Sequence, residues 1–442
     1  MKMKKCLQQM KLLNNEKGIA LVLVLIVFVI ISFLGLTIMA LAANNMKMST
    51  GERNYQSAYY IAESGVTSRM NEISSKLNDV YGIAVNGTDF FNKVDGVMEL
   101  GQEKVYDNIF EESFSQKPVA KIKIERVPSD TIISYTNDYK ITSTGTINNR
   151  SRTVVKTFHI TWKPKSTVTI PANTVFFVKN NFNVKNYKIT GSVGSNGLIT
   201  LQGGQASITG NKYNYVGSTL NMPAFPTFTP GTTNFEDTYL KMDRDRAFST
   251  LKVNSNSTLI IDVGNSNKNL VVDSLNLLSY GKIKINGSGK LSIYAKNITM
   301  SSGSVINTDG NIEKLYMFLE GSGSSLNQGI IYGSMYANNT NLIVNNENGV
   351  QGHIITKGAR IDITGTTINF PKMIYAPNAI VYLNASLSGA IICSEISSSG
   401  NDDSFKFEFV QINYDNSPLY VDNGTGATPL KDMITSDPVR EQ

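Results

Sequence analysis

In this 442-residue chain the side chains whose spacing comes nearest to chemistry are carboxylates. Asp262, Asp273, Asp309, Asp362 and the adjacent Asp402 and Asp403 lie in the second half, among short apolar runs. Two carboxyls held about 5–9.5 Å apart would supply the acid and the base or nucleophile for cleaving a glycosidic bond. Asp262 and Asp362 sit beside apolar residues, in Thr258-Leu259-Ile260-Ile261-Asp262 and Arg360-Ile361-Asp362-Ile363. The others occupy turn sequences such as Asn307-Thr308-Asp309-Gly310-Asn311, where aspartate is favoured because it bonds to its own backbone. The weight falls on such local roles, with a paired-acid site as the alternative. Asp309 and the Asn401-Asp402-Asp403 cluster offer oxygens for Ca²⁺, but not at the spacing of an EF-hand loop.

Nucleophiles and metal ligands are scarce. Two cysteines, Cys6 and Cys393, exclude a disulfide scaffold and a multi-thiolate site. Cys393 follows an apolar run and reads as a small buried hydrophobe. Of the two histidines, His159 falls on the polar side of an alternating segment and is expected to be exposed, and neither it nor His353 has a triad or ligand set nearby in sequence. No P-loop, dinucleotide fingerprint or HExxH sequence occurs. The charge balance, 41 basic against 35 acidic residues, gives +6. Lys2, Lys4, Lys5, Lys11 and Lys17 against Glu16 account for +4 within residues 1–18. The remaining +2 leaves no basic stripe for nucleic acid.

Those lysines precede an uncharged run from Ile19 to Ala43, 25 residues. At about 1.5 Å per residue it spans a hydrocarbon core of about 30 Å with some tilt, and the preceding lysines place the leader in the cytoplasm and the bulk outside. A cleaved signal peptide is disfavoured by the length of the run. Beyond it Tyr55, Tyr59, Ala62, Val66, Met70, Ile73 and Leu77 recur at helical period, so one proline-free helix should run from Ile19 to Leu77, apolar all round in its first half and one-sided in its second.

Two sequences in this region carry a resemblance. Lys17-Gly18 before the apolar run resembles a type IV prepilin leader, and Ser49 to Gly65, with its Ala62-Glu63-Ser64-Gly65, resembles the start of PilX-type minor pilins. The resemblance implies cleavage after Gly18 by a prepilin peptidase, a mature and N-methylated Ile19, and packing among other pilin helices. It also exposes a departure: the fifth mature position, a glutamate in major pilins, is Leu23. An unpaired carboxylate in lipid is costly, so its loss removes both a cost and a docking contact. That favours a minor subunit. Glu63 is either a solvated helix charge or a subunit contact.

The rest of the chain reads as β-structure. Residues 78–118 show turn signals and no long period; alternation at Ile122–Ile124, Tyr139–Ile141 and Phe158–Trp162 predicts a small antiparallel sheet packed on the helix, with Trp162 in the core or at a domain junction. From about 165 to 400, runs of three to five residues bounded by Gly, Asn or Ser predict a right-handed parallel β-helix, a β-sandwich being the alternative. Residues Met222 to Met242 are an excursion with a helix expected near Glu236–Ala247, and Asp415 to Gln442 a polar tail.

The expected fold is therefore α+β: leader 1–18, transmembrane half-helix 19–46, amphipathic half-helix 47–79, β head 80–163, β-helix 164–410 and tail 411–442. The expected function is a non-enzymatic, single-pass minor pilin with no cofactor and no metal. It would display its β-helix for adhesion or tip-complex assembly, with prepilin peptidase, other pilins and their assembly machinery, the membrane, and a surface glycan or protein ligand as partners. A membrane-tethered polysaccharide-active enzyme and a plain anchored surface protein are the alternatives.

Overall fold

The computed structural model describes residues 16–111, 117–128, 132–163, 165–166, 170–321, 326, 328–345, 348–365, 368–398, 405–412, 420–421 and 433–442. The apolar run and the one-sided stripe form one helix, α1 (Glu16–Ile83). A second helix follows, α2 (Gly87–Met98), where no long period was expected. Its signal is short but present: Asn86 is the N-cap and accepts from the Asp89 amide at 2.9 Å. Phe90, Val94 and Met98 then recur every four residues and are buried, with Phe91 beside them.

The head is a small antiparallel sheet laid on α1. It comprises β1 (Glu103–Tyr106), β2 (Val119–Arg126), β4 (Thr136–Ile147) and β5 (Arg150–Thr161) in that spatial order, with the two-residue β3 (Ile132–Ile133) apart from it. Ala120, Ile122 and Ile124 point into the core while Lys121 and Lys123 point out, so the alternation seen in the sequence is one-sided burial. The segment read as a polar tail returns here: Ile434–Ser436 and Arg440–Glu441 both pair antiparallel with β5.

The large domain is a parallel β-helix of three sheets. One register row of its first sheet runs Leu270, Ile293, Met317, Met335, Ile354, Ile374, Ile391, Phe176, all fully buried inside the coil. The adjacent row, Val271, Tyr294, Phe318, Tyr336, Ile355, Tyr375, Ile392, Phe177, faces outward yet is also buried, because the head and the segment from Leu220 to Phe228 pack on it. Strands buried on both faces read as continuous apolar runs, as in Thr174–Val178 and Leu315–Leu319. The other sheets alternate, because solvent covers their outer faces. Asparagine serves as a stacking residue at the turns: Asn181, Asn214, Asn267 and Asn341 each accept from a backbone amide on another rung.

Spatial order and chain order disagree. The first rung in sequence, Thr174–Val178, stacks on the last, Ile391–Cys393; Ser192–Ser195 and Lys212–Tyr213 then extend the same end. From there the chain must return to the opposite end before Arg246–Val253 can begin the main stack. Ten rung spacings of about 4.8 Å require about 48 Å, which about fifteen extended residues at about 3.3 Å cover. The excursion beginning near Met222 is that return. Its backbone accepts from Tyr375 Oη at Asn221 and from Tyr336 Oη at Pro223, Phe225 lies 6.5 Å from Phe318, and Phe228 lies 5.7 Å from Tyr294, descending the outward row. Pro223, Pro226 and Pro230 suit an extended strap that needs few amide donors. No helix forms near Glu236–Ala247. Tyr239–Lys241 and the start of Arg246–Val253 are strands instead, because the neighbouring rungs offer parallel partners and bury Leu240, Met242 and Leu251.

Candidate assembly site on the N-terminal helix

The first half of α1 touches nothing else in the described chain. Every residue from Ile19 to Met48 is exposed, including the large apolar side chains on all sides. It belongs to the one described helix long and apolar enough to cross a membrane. Gly18 and Ile19 lie in its opening turns, and Leu23 is 60% exposed, with no carboxylate at that position.

The second half is clamped to the head through small residues. Ala58 and Ala62 are fully buried over Gly145 of β4, where a Cβ would stand 2.2 Å from the Ala58 carbonyl oxygen and 2.4 Å from the Ala62 nitrogen. One turn on, a Cβ at Gly65 would stand 2.8 Å from Ala120 Cβ and 2.9 Å from Ser143 Oγ. Of the expected stripe, Ala62, Val66, Ile73 and Leu77 are buried, Tyr59 and Met70 are partly so, and Tyr55 is exposed with the Arg152 guanidinium 3.9 Å from its ring centroid. The Ala62-Glu63-Ser64-Gly65 sequence thus supplies two close-approach residues, Ala62 and Gly65. Glu63 is half-buried on the flank, and its carboxylate has no partner among the described residues.

Sequence reasoning missed Arg69, which is only 3% exposed on the same helix face. Its guanidinium donates to Glu72 Oε2 at 2.8 Å, the Met98 carbonyl at 2.9 Å and Glu99 Oε2 at 3.0 Å, fixing the end of α2 against α1. Lys104 donates to the same Glu72 oxygen at 2.8 Å. Burial pushes the Glu72 carboxyl up, but the bonds from Lys104 and Arg69 outweigh it and hold its pKa at about 2. Trp162 closes the far end of the clamp, its ring centroid 5.0 Å from that of Tyr81 and 5.1 Å from that of Phe90.

His159 is not exposed. The β-helix covers its strand, so the ring is buried, with Nδ1 2.7 Å from Asp138 Oδ1 and Nε2 3.5 Å from Lys268 Nζ. Beside it Asp245 accepts from the Asn269 amide and side chain, both at 2.7 Å. Burial, reinforced by the charge of Asp138, raises the Asp245 pKa to about 6. This polar network joins head to β-helix and is satisfied on both sides.

The candidate acids do not converge. Asp262 lies on the sheet that contains Lys282–Asn286, whereas Asp362 lies on the one that contains Leu342–Val344. Each has a local partner: Tyr239 Oη and the Gly264 amide for Asp262, Nε and Nη2 of Arg360 for Asp362, Lys296 for Asp273 and Lys284 for Asp309. Asp402 and Asp403 lie outside the described residues. Among the described residues no three His, Cys, Asp or Glu side chains could hold a metal ion together. Cys393 is fully buried in the coil and its thiol is pushed up by burial.

The N-terminal helix is thus a bare apolar half continuous with a clamped half. Residues 17–67 match the PilX N-terminal family. This segment is similar to a PilX-type pilin N-terminus. The PilX-type segment ends two residues past Gly65, at Thr67, so it covers the bare half-helix and the first turns of the clamp. Residues 247–373, the body of the β-helix, match a domain of unknown function, DUF7305. No curated protein matches the chain. Among solved structures, the competence-associated pilin ComZ from Thermus thermophilus aligns over 88% of this chain and 98% of its own, at 9% identity and a TM-score of 0.21, too low to carry an argument.

Proposed function

We propose that the chain is a minor subunit of a type IV pilus or a related filament, with a structural rather than catalytic role. A prepilin peptidase would cut between Gly18 and Ile19 and the new amino group would be methylated. The bare half of α1 would then sit in the membrane, leader side cytoplasmic, and later among the helices of neighbouring pilins. The observation that carries this reading is the PilX-type match at residues 17–67, lying over a half-helix that buries none of its apolar surface within the chain. Leu23 in place of a carboxylate favours a minor position, and Glu63, unpartnered on the flank of the clamp, is the side chain best placed for a subunit contact. The β-helix would be displayed outside, for adhesion or in a tip complex.

Mass spectrometry of the protein from its native membrane tests the reading. A mature N-terminus at Ile19, with a methyl group added, is expected. An intact Met1 would convert the protein into a plain anchored surface protein and end the pilin reading.

A further inference from the structure

The net charge conceals a segregation. From Tyr139 to Phe235, 97 residues, there is no aspartate or glutamate, where the chain's average of 35 in 442 would place roughly eight. The same stretch holds ten lysines and arginines. The reversed stacking order carries part of it to one end of the β-helix, where Lys179, Lys185, Lys188 and Lys212 are all exposed. None of the four has an ion-pair partner among the described residues, although Glu395 and Glu408 are exposed on neighbouring rungs. Lys188 also stands in register with Lys406 on the adjacent strand. Like charges facing each other across a strand pair are destabilising until an opposite charge covers them. At the other end of the stack, Lys252 and Arg246 are already paired, with Glu236 and Asp243.

The same end carries exposed apolar side chains on its outermost rungs: Leu198, Leu201, Val216 and Tyr215, the last 68% exposed. Among them stand the exposed amides of Gln202, Gln205 and Asn211. Free ammonium groups, amides and an aromatic face together match carboxylates, hydroxyls and the C–H faces of sugar rings. We propose that this end of the β-helix binds an acidic polysaccharide, a sugar polymer bearing carboxylates. Nucleic acid fits less well: the end has no arginine between Arg152 and Arg244 to form bidentate phosphate contacts, and a handful of lysines neutralises few phosphates. The inference names the ligand of the displayed domain and so rests on the proposed display.

Full-length protein in detergent micelles, passed over immobilised polygalacturonate and over neutral dextran at low salt, tests it. Retention on polygalacturonate alone is expected. The K179Q/K185Q/K188Q/K212Q variant should bind it about tenfold more weakly, as removal of several small charge contacts predicts. The matching lysine-to-arginine variant should bind like the wild type, and so should K282Q/K284Q, several rungs away toward the opposite end of the stack. Equal retention on dextran, unchanged binding by the quadruple variant, or displacement by duplex DNA at a lower concentration than by free polygalacturonate would each overturn the proposal. If the quadruple variant does not fold, K188Q/K212Q read against its arginine counterpart decides the same question. An intact Met1 with polygalacturonate binding preserved would remove the pilin reading and leave the ligand standing.

Discussion

The two halves of α1 share a helix and little else. From Ile19 to Met46 the apolar side chains face outward on every side, whereas from Ala58 to Tyr81 the buried positions form one stripe against the head. Both halves are good helix, so propensity does not separate them. The difference lies in where apolar surface finds cover. The second half finds it within its own chain, through glycines that let the backbones approach. The first half can find it only in lipid or in other helices. Stability of the folded head and competence for assembly should therefore be separable by mutation.

The largest effect should come from Gly145→Leu. Its side chain would enter the backbone of α1 at Ala58 and Ala62, and the cost should reach about 3 kcal/mol, read as a fall in the melting temperature of the detergent-solubilised protein. Gly35→Leu, in the bare half, meets nothing within 4 Å and should leave that melting temperature unchanged. Equal effects at the two positions would erase the contrast. Arg69→Met should rank next, at about 2 kcal/mol, because the Met98 carbonyl and Glu99 lose a buried charged donor. Hydrogen exchange at α2 should rise with it. The smallest effect concerns pH. The Glu72 carboxyl is held down, at about 2, so its contribution is fully present above its ordinary value of 4.5 and is lost as pH falls from 4.5 toward 2. Glu72→Gln should flatten the acid limb of the melting curve in that window, and the bare half, which has no titratable side chain between Ile19 and Met46, should contribute nothing to it.

The sequence was most legible where one rule governed a long segment. An uncharged run of 25 residues has few structural outcomes, and Ala62, Val66, Ile73 and Leu77 mark the buried face by spacing alone. Reading failed where a second body changed the environment. His159 alternates as a polar strand residue should, but the β-helix covers it and Asp138 and Lys268 satisfy it. Arg69 is charged and so fell outside the apolar stripe, yet its guanidinium is neutralised by two glutamates, one on α1 and one at the end of α2. The helix expected near Glu236–Ala247 lost to parallel partners that only the completed stack provides.

By itself the sequence determined a membrane-length helix with a one-sided continuation, a set of short strands bounded by turn residues, and a chain poor in nucleophiles. Those follow from local composition and period, which act over a few residues. Tertiary structure alone decided the order of the rungs, the strap that returns along them, the clamp at Gly145 and the gathering of lysines at one end. Each depends on contacts between residues far apart in the chain, such as Ile391 with Phe176, whose pairing no local period encodes.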